Sequence, residues 1–183
     1  MWWAYGDQSQ PSSTYGSQAA EAWAQGHTGS REVAVAVLDT GVDISHPDLS
    51  NNIWTNIEEA KGVDGVDDDG NGYIDDVNGW DFANNDNSVF DDAAVDAHGT
   101  HVAGTIGAEG DNAIGVVGVN WSTTIVPVKF IDDVNGTLGD VVQAIDYVTA
   151  LRTQKGLNII ASNNSWKLHG YSRVLRDAIR RGG

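Results

Sequence analysis

The chain has 183 residues, about the size of one domain, and 40% of them are apolar, so we expect a folded core rather than a disordered chain. Lys and Arg number 10 against 26 Asp and Glu, and the resulting net charge of −16 argues against nucleic acid as a partner and favours a cation. The absence of cysteine excludes disulfides, and the sequence shows neither an apolar run long enough to span a membrane nor a signal peptide at its start.

Short apolar runs rich in β-branched residues predict three strands, at residues 33–38, 125–130 and 157–162. Apolar residues at helical spacing predict three helices, around residues 102–106, 140–154 and 174–179. Thr137 or Asp140 is the candidate N-cap of the second helix, and Ser172 is that of the third. The alternation, with two or three strands buried on both faces, predicts an α/β fold of three layers, a mainly parallel sheet with helices on both faces.

Two polar residues stand where an α/β sheet places its ligands, beyond the carboxyl ends of its strands. Asp39 directly follows the first predicted strand, and a carboxylate at the end of a buried strand needs a partner. His98 begins a run of small residues, which favours a helix packed closely on the sheet with His98 near its N-terminus. If Asp39 accepts the Nδ1 proton of His98, the Nε2 atom is free to act as a general base on a hydroxyl group.

The residues alone leave other interpretations open. Asp39 could cap a turn, because Asp is common in turns. His98 and His101, three residues apart, could bind a metal ion, although neither a third ligand nor the H-E-x-x-H pattern is evident. The other histidines are interpreted as ordinary surface or turn residues, and they are His27, His46 and His169.

Several motifs resemble those of the subtilisin-like serine proteases, the subtilase or peptidase S8 family. Val-Leu-Asp-Thr-Gly-Val-Asp at 37–43, with Ser-His-Pro-Asp-Leu at 45–49, is similar to the family's Asp motif. His-Gly-Thr-His-Val-Ala-Gly-Thr at 98–105 is similar to its His motif, in the order Asp before His that this family shows. The segments 112–116 and 163–166 also match, so the resemblance runs from about residue 15 to residue 183.

The resemblance implies a subtilisin-like fold and a serine endopeptidase that cleaves polypeptides by acyl transfer, with His98 as the base that deprotonates a serine and Asp39 as its orienting group. The family's Gly-Thr-Ser-Met-Ala-like segment with the nucleophile and its Ala-Gly-Asn-like segment with the oxyanion donor are absent from the sequence. We therefore expect a polar leader at 1–14 and, at 15–183, the N-terminal part of a catalytic domain that is incomplete at its C-terminus and inactive alone. The family further implies secretion and a pro-segment in the precursor.

By the same resemblance, Ser165 and Trp166 belong to the strand that pairs with the backbone of the substrate. The family usually has glycine where this sequence has Lys167, and a side chain at that position is expected to narrow the cleft. Backbone pairing survives this change because it uses main-chain groups.

An acidic segment at about 58–92 is interpreted as a calcium-loop insertion, since no Lys or Arg occurs between Lys61 and Lys129. Its stretch Asp-Asp-Asp-Gly-Asn-Gly-Tyr-Ile-Asp at 67–75 is typical of the opening of an EF-hand-type loop. The candidate ligands are the side chains of Asp67, Asp69, Asn71 and Asp75 and the carbonyl of Tyr73. The twelfth position is Asn78 instead of the usual bidentate Glu, and Asp76 is a candidate substitute. Dense oxygen ligands favour Ca²⁺ over Zn²⁺ or Cu²⁺, the alternative being a solvated acidic turn.

A second calcium site is implied by the resemblance alone. Its candidate ligands are the side chains of Asp48 and Asn112 and the carbonyls of Gly110, Ile114 and Val116. We expect calcium to stabilise the native state because it binds the folded chain and not the unfolded one.

Two other functions fit part of the sequence. Asp39-Thr40-Gly41 is also the triplet of aspartic proteases, but those enzymes pair two such carboxylates in an all-β fold, and the sequence has one copy. A non-catalytic calcium-binding module would explain the acidic segment but leave the role of His98 without explanation. An inactive paralogue of the family is a further alternative, but truncation explains more.

Overall fold

Residues 4–6, 12–133 and 136–183 are described by a computed structural model, in which a four-stranded parallel sheet has the order β2-β3-β1-β4. The strands are β1 (Gly29–Asp39), β2 (Trp80–Asp81), β3 (Ser122–Lys129) and β4 (Ile159–Asn163). The helices are α1 (Ala19–Ala24), α2 (Ile57–Lys61), α3 (Ala97–Gly107), α4 (Leu138–Thr153) and α5 (Arg173–Gly182), with a 3₁₀ turn at Ser50–Asn52. None of these helices is long and apolar enough to cross a membrane.

The two central strands, β1 and β3, are buried because apolar side chains occupy both of their faces. Buried residues are most frequent toward the carboxyl end of each strand, among them Leu38 and Val128. β4 lies at the edge of the sheet and pairs only with β1, and of its five residues only Ile159 is buried. Two of the three predicted strands are therefore buried on both faces, which agrees with the prediction of two or three such strands.

Helices cover both faces of the sheet. Leu38 of β1 belongs to an apolar cluster that includes Tyr147 of α4. Val37, its neighbour in the strand, points to the opposite face and joins a second cluster with Ala103 of α3. The predicted three-layer α/β fold is confirmed.

The predicted starts of α4 and α5 are also confirmed. The hydroxyl of Thr137 accepts a hydrogen bond from the backbone N–H of Asp140 (3.2 Å), and the carboxylate of Asp140 accepts one from the N–H of Thr137 (3.0 Å). This reciprocal pair makes Thr137, of the two candidates, the N-cap. Ser172 caps α5 by accepting a hydrogen bond from the N–H of Leu175 (3.2 Å).

The shortest elements, α1, α2 and β2, were not predicted from the sequence because they contain two to six residues and show no periodicity. The two residues of β2 form a strand because they pair with β3, and Asp81 lies opposite Lys129 in this pairing. The leader predicted at 1–14 falls mostly outside the described residues, which here include only 4–6 and 12–14.

Candidate active site

Asp39 and His98 form a direct side-chain contact at the carboxyl end of β1. Asp39 is the last residue of β1 and is buried, with 1% exposure. Its Oδ1 atom accepts a hydrogen bond from the backbone N–H of Thr40 (2.8 Å) and lies 2.6 Å from Nδ1 of His98. His98 is the second residue of α3, and 56% of its side chain is exposed. A buried carboxylate therefore holds one ring nitrogen while the imidazole remains accessible.

Two glycines allow α3 to approach the end of β1 this closely. A Cβ atom on Gly99 would lie 2.2 Å from the carbonyl oxygen of Gly41 and 3.1 Å from the Cβ atom of Asp39. Gly41 has a φ of +128°, a conformation that disfavours other residues, and it packs against Asp96. The small residues that surround the candidate pair are thus required by the close packing of helix and strand.

The contact between Asp39 and His98 suits proton transfer. A carboxylate at Nδ1 keeps the proton on that atom in the neutral ring, so Nε2 is the nitrogen that can accept a proton. His101 is not part of a three-residue metal cluster, because the one such cluster found among the described residues lies in the acidic loop. The interpretation of His98 and His101 as metal ligands has no support in this geometry.

The segment that follows β4 leaves the sheet at the same edge as Asp39, because β4 runs parallel to β1. Ser165 is exposed, and its hydroxyl donates a hydrogen bond to Oδ1 of Asn163 (2.7 Å). Trp166 is partly buried, with its ring packed edge-on against Phe130 at 5.3 Å between centroids. The backbone of this segment is therefore anchored by Trp166 beside an exposed Ser165, and its part in substrate binding stays a prediction.

In the acidic loop, carboxylates accept hydrogen bonds from backbone N–H groups of the same loop. The carboxylate of Asp67 accepts hydrogen bonds from the N–H groups of Asn71 (3.0 Å) and Gly72 (2.8 Å). The carboxylate of Asp75 accepts one from the N–H of Gly65 (2.8 Å). These bonds hold the loop in a tight curve despite its concentration of negative charge.

Glu59 of α2 completes an acidic cluster with two of the predicted ligands. Carboxylate oxygens of Glu59, Asp67 and Asp69 all lie within 4.8 Å of one another. Oxygens that bind one Ca²⁺ at 2.3–2.6 Å can be no more than about 5 Å apart, so these three groups fit a single ion. Glu59 is buried and accepts hydrogen bonds from the N–H groups of Asp69 (2.9 Å) and Asp75 (2.9 Å). It precedes the loop in the sequence and lies outside the EF-hand pattern, so no motif reveals it.

The other predicted ligands of the loop are brought together only in part. The amide of Asn71 donates a hydrogen bond to Oδ2 of Asp69 (3.1 Å), whereas the carboxylate of Asp75 is not a member of the acidic cluster. The ring of Tyr73 packs into the core against Trp80, which leaves its backbone carbonyl as the candidate ligand.

A cationic side chain does lie beside the loop. The ammonium of Lys155, which follows α4, is 3.3 Å from Oδ2 of Asp69. No Lys or Arg occurs between Lys61 and Lys129 in the sequence, but the prediction that none lies near the loop is wrong in the folded chain. The fold brings the end of α4, with Lys155, next to the loop.

Asp76 anchors the acidic loop to the core. It is completely buried and accepts hydrogen bonds from the hydroxyl of Tyr147 (2.6 Å) and from the amides of Asn71 (2.9 Å) and Asn56 (2.8 Å). Burial raises the pKa of Asp76 to about 6, although the hydrogen bonds oppose this shift. Burial also raises the pKa of Tyr147 well above its ordinary value, and the charge of Asp76 adds to the effect.

We expect Tyr147→Phe to lower the free energy of unfolding by about 2 kcal/mol, because a buried carboxylate loses a hydrogen bond while the ring still fills its place. Urea unfolding followed by tryptophan fluorescence measures this loss. The matched control is Tyr171→Phe, whose side chain is 75% exposed and whose change is expected to stay within about 0.5 kcal/mol. Equal effects of the two substitutions would contradict the anchoring role.

The second predicted calcium site is a loop wrapped around Asp48. Asp48 is buried, and its two oxygens accept hydrogen bonds from the amide of Asn112 (2.8 Å) and the N–H of Val116 (2.8 Å). The N–H of Ile114 donates in turn to Oδ1 of Asn112 (3.0 Å). The two predicted side-chain ligands are therefore in contact, and the carbonyls of Gly110, Ile114 and Val116 lie on the same loop.

The parallel sheet, with helices on both faces and an Asp–His pair at its carboxyl edge, defines an α/β protein with its candidate site at the carboxyl ends of the strands. The aspartic-protease alternative, which requires an all-β fold, does not agree with this sheet. A family model described as the subtilase family matches residues 30–181. The chain belongs to the subtilase family.

Individual relatives agree with this family. The chain is 43% identical over 146 residues to Subtilisin-like protease 1 of Plasmodium berghei (strain Anka), a match that covers 79% of this chain and 23% of the relative. It is 39% identical over 126 residues to the Extracellular protease of Xanthomonas campestris pv. campestris, covering 64% of this chain and 20% of the relative. The structure of Sphericase aligns with a TM-score of 0.62 at 28% identity, over 84% of this chain and 43% of that one. The chain thus spans less than a quarter of the length of the Plasmodium and Xanthomonas relatives.

Proposed function

We propose that these residues form part of a serine endopeptidase in which Asp39 and His98 are two members of an Asp-His-Ser triad. The observation that carries the proposal is the 2.6 Å contact between Oδ1 of Asp39 and Nδ1 of His98, which leaves Nε2 free to take a proton from a serine hydroxyl. The substrate is a polypeptide, attacked at a peptide carbonyl, and the tetrahedral oxyanion is stabilised by donors that the described residues do not supply.

The proposal predicts that the 183-residue polypeptide has no measurable peptidase activity by itself. None of its serines stands in the Gly-Thr-Ser-Met-Ala-like setting of the family's nucleophile. Hydrolysis of a casein or peptide substrate and labelling by a fluorophosphonate probe measure this directly. Turnover by the purified polypeptide that the fluorophosphonate blocks would show that a nucleophile is already present and would sink this part of the proposal.

The experiment that tests the proposal as a whole is to read and express the coding sequence beyond the codon for Gly183. An in-frame continuation with the Asn and Gly-Thr-Ser segments is expected, and the longer product is expected to react with the fluorophosphonate at that serine. A longer product that carries neither segment and does not react would favour the non-catalytic calcium-binding module instead.

We infer that the substrate lies as an extended strand along the segment that follows β4. Trp166 anchors this segment by packing on Phe130, and Ser165 is exposed, so its main-chain groups are accessible for hydrogen bonds with a substrate strand. Lys167 is exposed next to it, and its charge favours acidic side chains in the substrate near this position.

Calcium is the metal that the acidic groups fit best. In the loop, Glu59, Asp67 and Asp69 supply carboxylates, and Asn71, Asp75 and the carbonyl of Tyr73 remain candidates. In the second site the candidates are Asp48, Asn112, Ile114 and Val116, whose oxygens are equally hard donors. Bound calcium supplies positive charge that offsets the repulsion among these aspartates.

The organisation of the whole protein follows from the same proposal. Residues 15–183 form the N-terminal part of the peptidase domain, the segment at about 58–92 is its calcium-loop insertion, and 1–14 is a leader. We propose that the protein acts outside the cell and that its precursor carries a pro-segment, as the family resemblance implies.

A further inference from the structure

Three charged residues stand side by side at the carboxyl edge of the sheet. In the strand register, Lys129 at the end of β3 lies opposite Asp39 of β1 on one side and Asp81 of β2 on the other. Residues opposite each other in neighbouring strands point to the same face, so all three side chains leave the sheet towards α3. The backbone of Lys129 therefore lies next to that of Asp39, whose carboxylate contacts His98.

The ammonium of Lys129 nevertheless turns away from Asp39. It is completely buried and pairs with Asp91, with Asp96 (3.2 Å to Oδ1) and with Asp81 (3.6 Å to Oδ2), whereas no ion pair joins it to Asp39. Burial by itself would lower the pKa of Lys129, but the hydrogen bonds to Asp91 and Asp96 and the charge of Asp81 outweigh it and raise the pKa. Lys129 is therefore a fixed positive charge at the centre of three carboxylates.

Two of these carboxylates, those of Asp91 and Asp96, belong to the segment that leads into α3 and His98. Asp96 immediately precedes α3, and its Oδ2 atom accepts hydrogen bonds from the N–H groups of Asp91 (2.6 Å) and Asp92 (3.1 Å). Asp96 also packs against Gly41, two residues after Asp39. The start of α3, the preceding loop and the turn after β1 thus meet around the ammonium of Lys129.

We propose that Lys129 is a positioning residue for the Asp39–His98 pair: anchored by Asp81, Asp91 and Asp96, it fixes the start of α3 against the sheet and leaves Asp39 to His98 alone. The inference rests on the proposed function, in which that pair is catalytic. Asp39 supports it directly, because its buried Oδ2 atom has no hydrogen-bond partner among the described residues, although Lys129 lies opposite it in the neighbouring strand. Without the three carboxylates, this ammonium would be the nearest competitor of His98 for Asp39.

The test observes His98 itself, in the 183-residue polypeptide labelled with ¹⁵N-histidine. Nuclear magnetic resonance of the wild type is expected to show a low-field, slowly exchanging Nδ1 proton and the Nδ1–H tautomer, both of which disappear in His98→Gln. A wild type that lacks them would disprove the Asp39–His98 pair and with it the proposed function, separately from any role of Lys129.

In Lys129→Met, we expect the low-field proton to be lost and the ring to revert to the tautomer mixture of a free imidazole, while circular dichroism still shows a folded protein. A lysine that served stability alone would lower the melting temperature without changing the tautomer. The control is Lys61→Met, an exposed lysine of α2, which is expected to leave both signals intact. A folded Lys129→Met that keeps the low-field proton overturns the inference.

If the Lys129→Met variant does not fold, the Asp96→Asn variant tests the inference instead. Asparagine keeps the shape and can still accept the hydrogen bonds from the loop, but it releases one charge from Lys129, which is then expected to approach Asp39 and displace His98. The matched control is Asp92→Asn, an exposed carboxylate of the same loop. Loss of the low-field proton in Asp96→Asn and not in Asp92→Asn supports the inference, and its retention in both overturns it.

Discussion

Replacement of His98 by Ala is expected to lower kcat/KM for peptide hydrolysis by about 10⁴-fold or more in a protein that joins these residues to the nucleophilic serine. The serine hydroxyl is a poor nucleophile unless an imidazole removes its proton during attack. Asp39→Asn is expected to cost about 10⁴-fold as well, because an amide at this place favours the wrong tautomer of His98. Steady-state kinetics on a peptide substrate measure both effects.

The matched control for this prediction is His27→Ala. His27 is an exposed histidine that precedes β1, remote in sequence from the strand end that carries Asp39, and its removal is expected to leave kcat/KM unchanged. A general base contributes at least about 100-fold to the rate of the reaction. A folded His98→Ala variant that retained more than about 1% of the activity would therefore show that His98 is not the general base. Such a result would require another residue to take the proton.

Addition of Ca²⁺ to the chelated protein is expected to raise its Tm by about 5–10 °C. A ligand present at about 100 times its Kd stabilises the native state by about 2.7 kcal/mol. In a domain of this size, each kcal/mol shifts the Tm by about 2–4 °C. Differential scanning calorimetry with and without a chelator gives the shift, and an unchanged Tm would mean that neither candidate site binds calcium in the native state.

Variants can distinguish the contributions of the two calcium sites. For each variant, the quantity compared is the increase in Tm that Ca²⁺ causes. The pair Glu59→Gln and Asp67→Asn is expected to remove the part of the increase that belongs to the acidic loop, and Asp48→Asn the part that belongs to the second loop. Asp64→Asn, an exposed aspartate near the start of the acidic loop, is the control and is expected to keep the full increase. An acidic loop that acts only through its overall charge would instead respond equally to all of these substitutions.

The sheet and the Asp39–His98 pair could be predicted because their signals are local. β1 and β3 contain continuous apolar runs, and α4 is long enough to show helical spacing and a capping box. Asp39 ends β1 and His98 lies at the start of α3, so the rule that ligands bind beyond the carboxyl ends of parallel strands made both residues candidates. The resemblance to the subtilase motifs then favoured their pairing over the other interpretations.

The residues that sequence reasoning missed depend on contacts between distant segments. Glu59 reaches the acidic loop from α2, and Lys155 reaches it from the end of α4, so neither belongs to a motif. Lys129 interrupts the apolar run at 125–130, and no motif marks it as a buried charge. Its complete burial requires three carboxylates that only the folded chain assembles.

For the proposed peptidase, the hydrogen bonds inside the acidic loop bear on how easily the loop itself is cleaved. A peptide segment must become extended and offer its main-chain groups before an active site of this kind can bind it as a strand. In this loop, amides such as those of Asn71 and Gly72 are already bonded to the carboxylate of Asp67, within a curve that Asp76 and Tyr147 fasten to the core. Local opening must break these bonds before cleavage, so we expect the loop, although long and at the surface, to resist proteolysis.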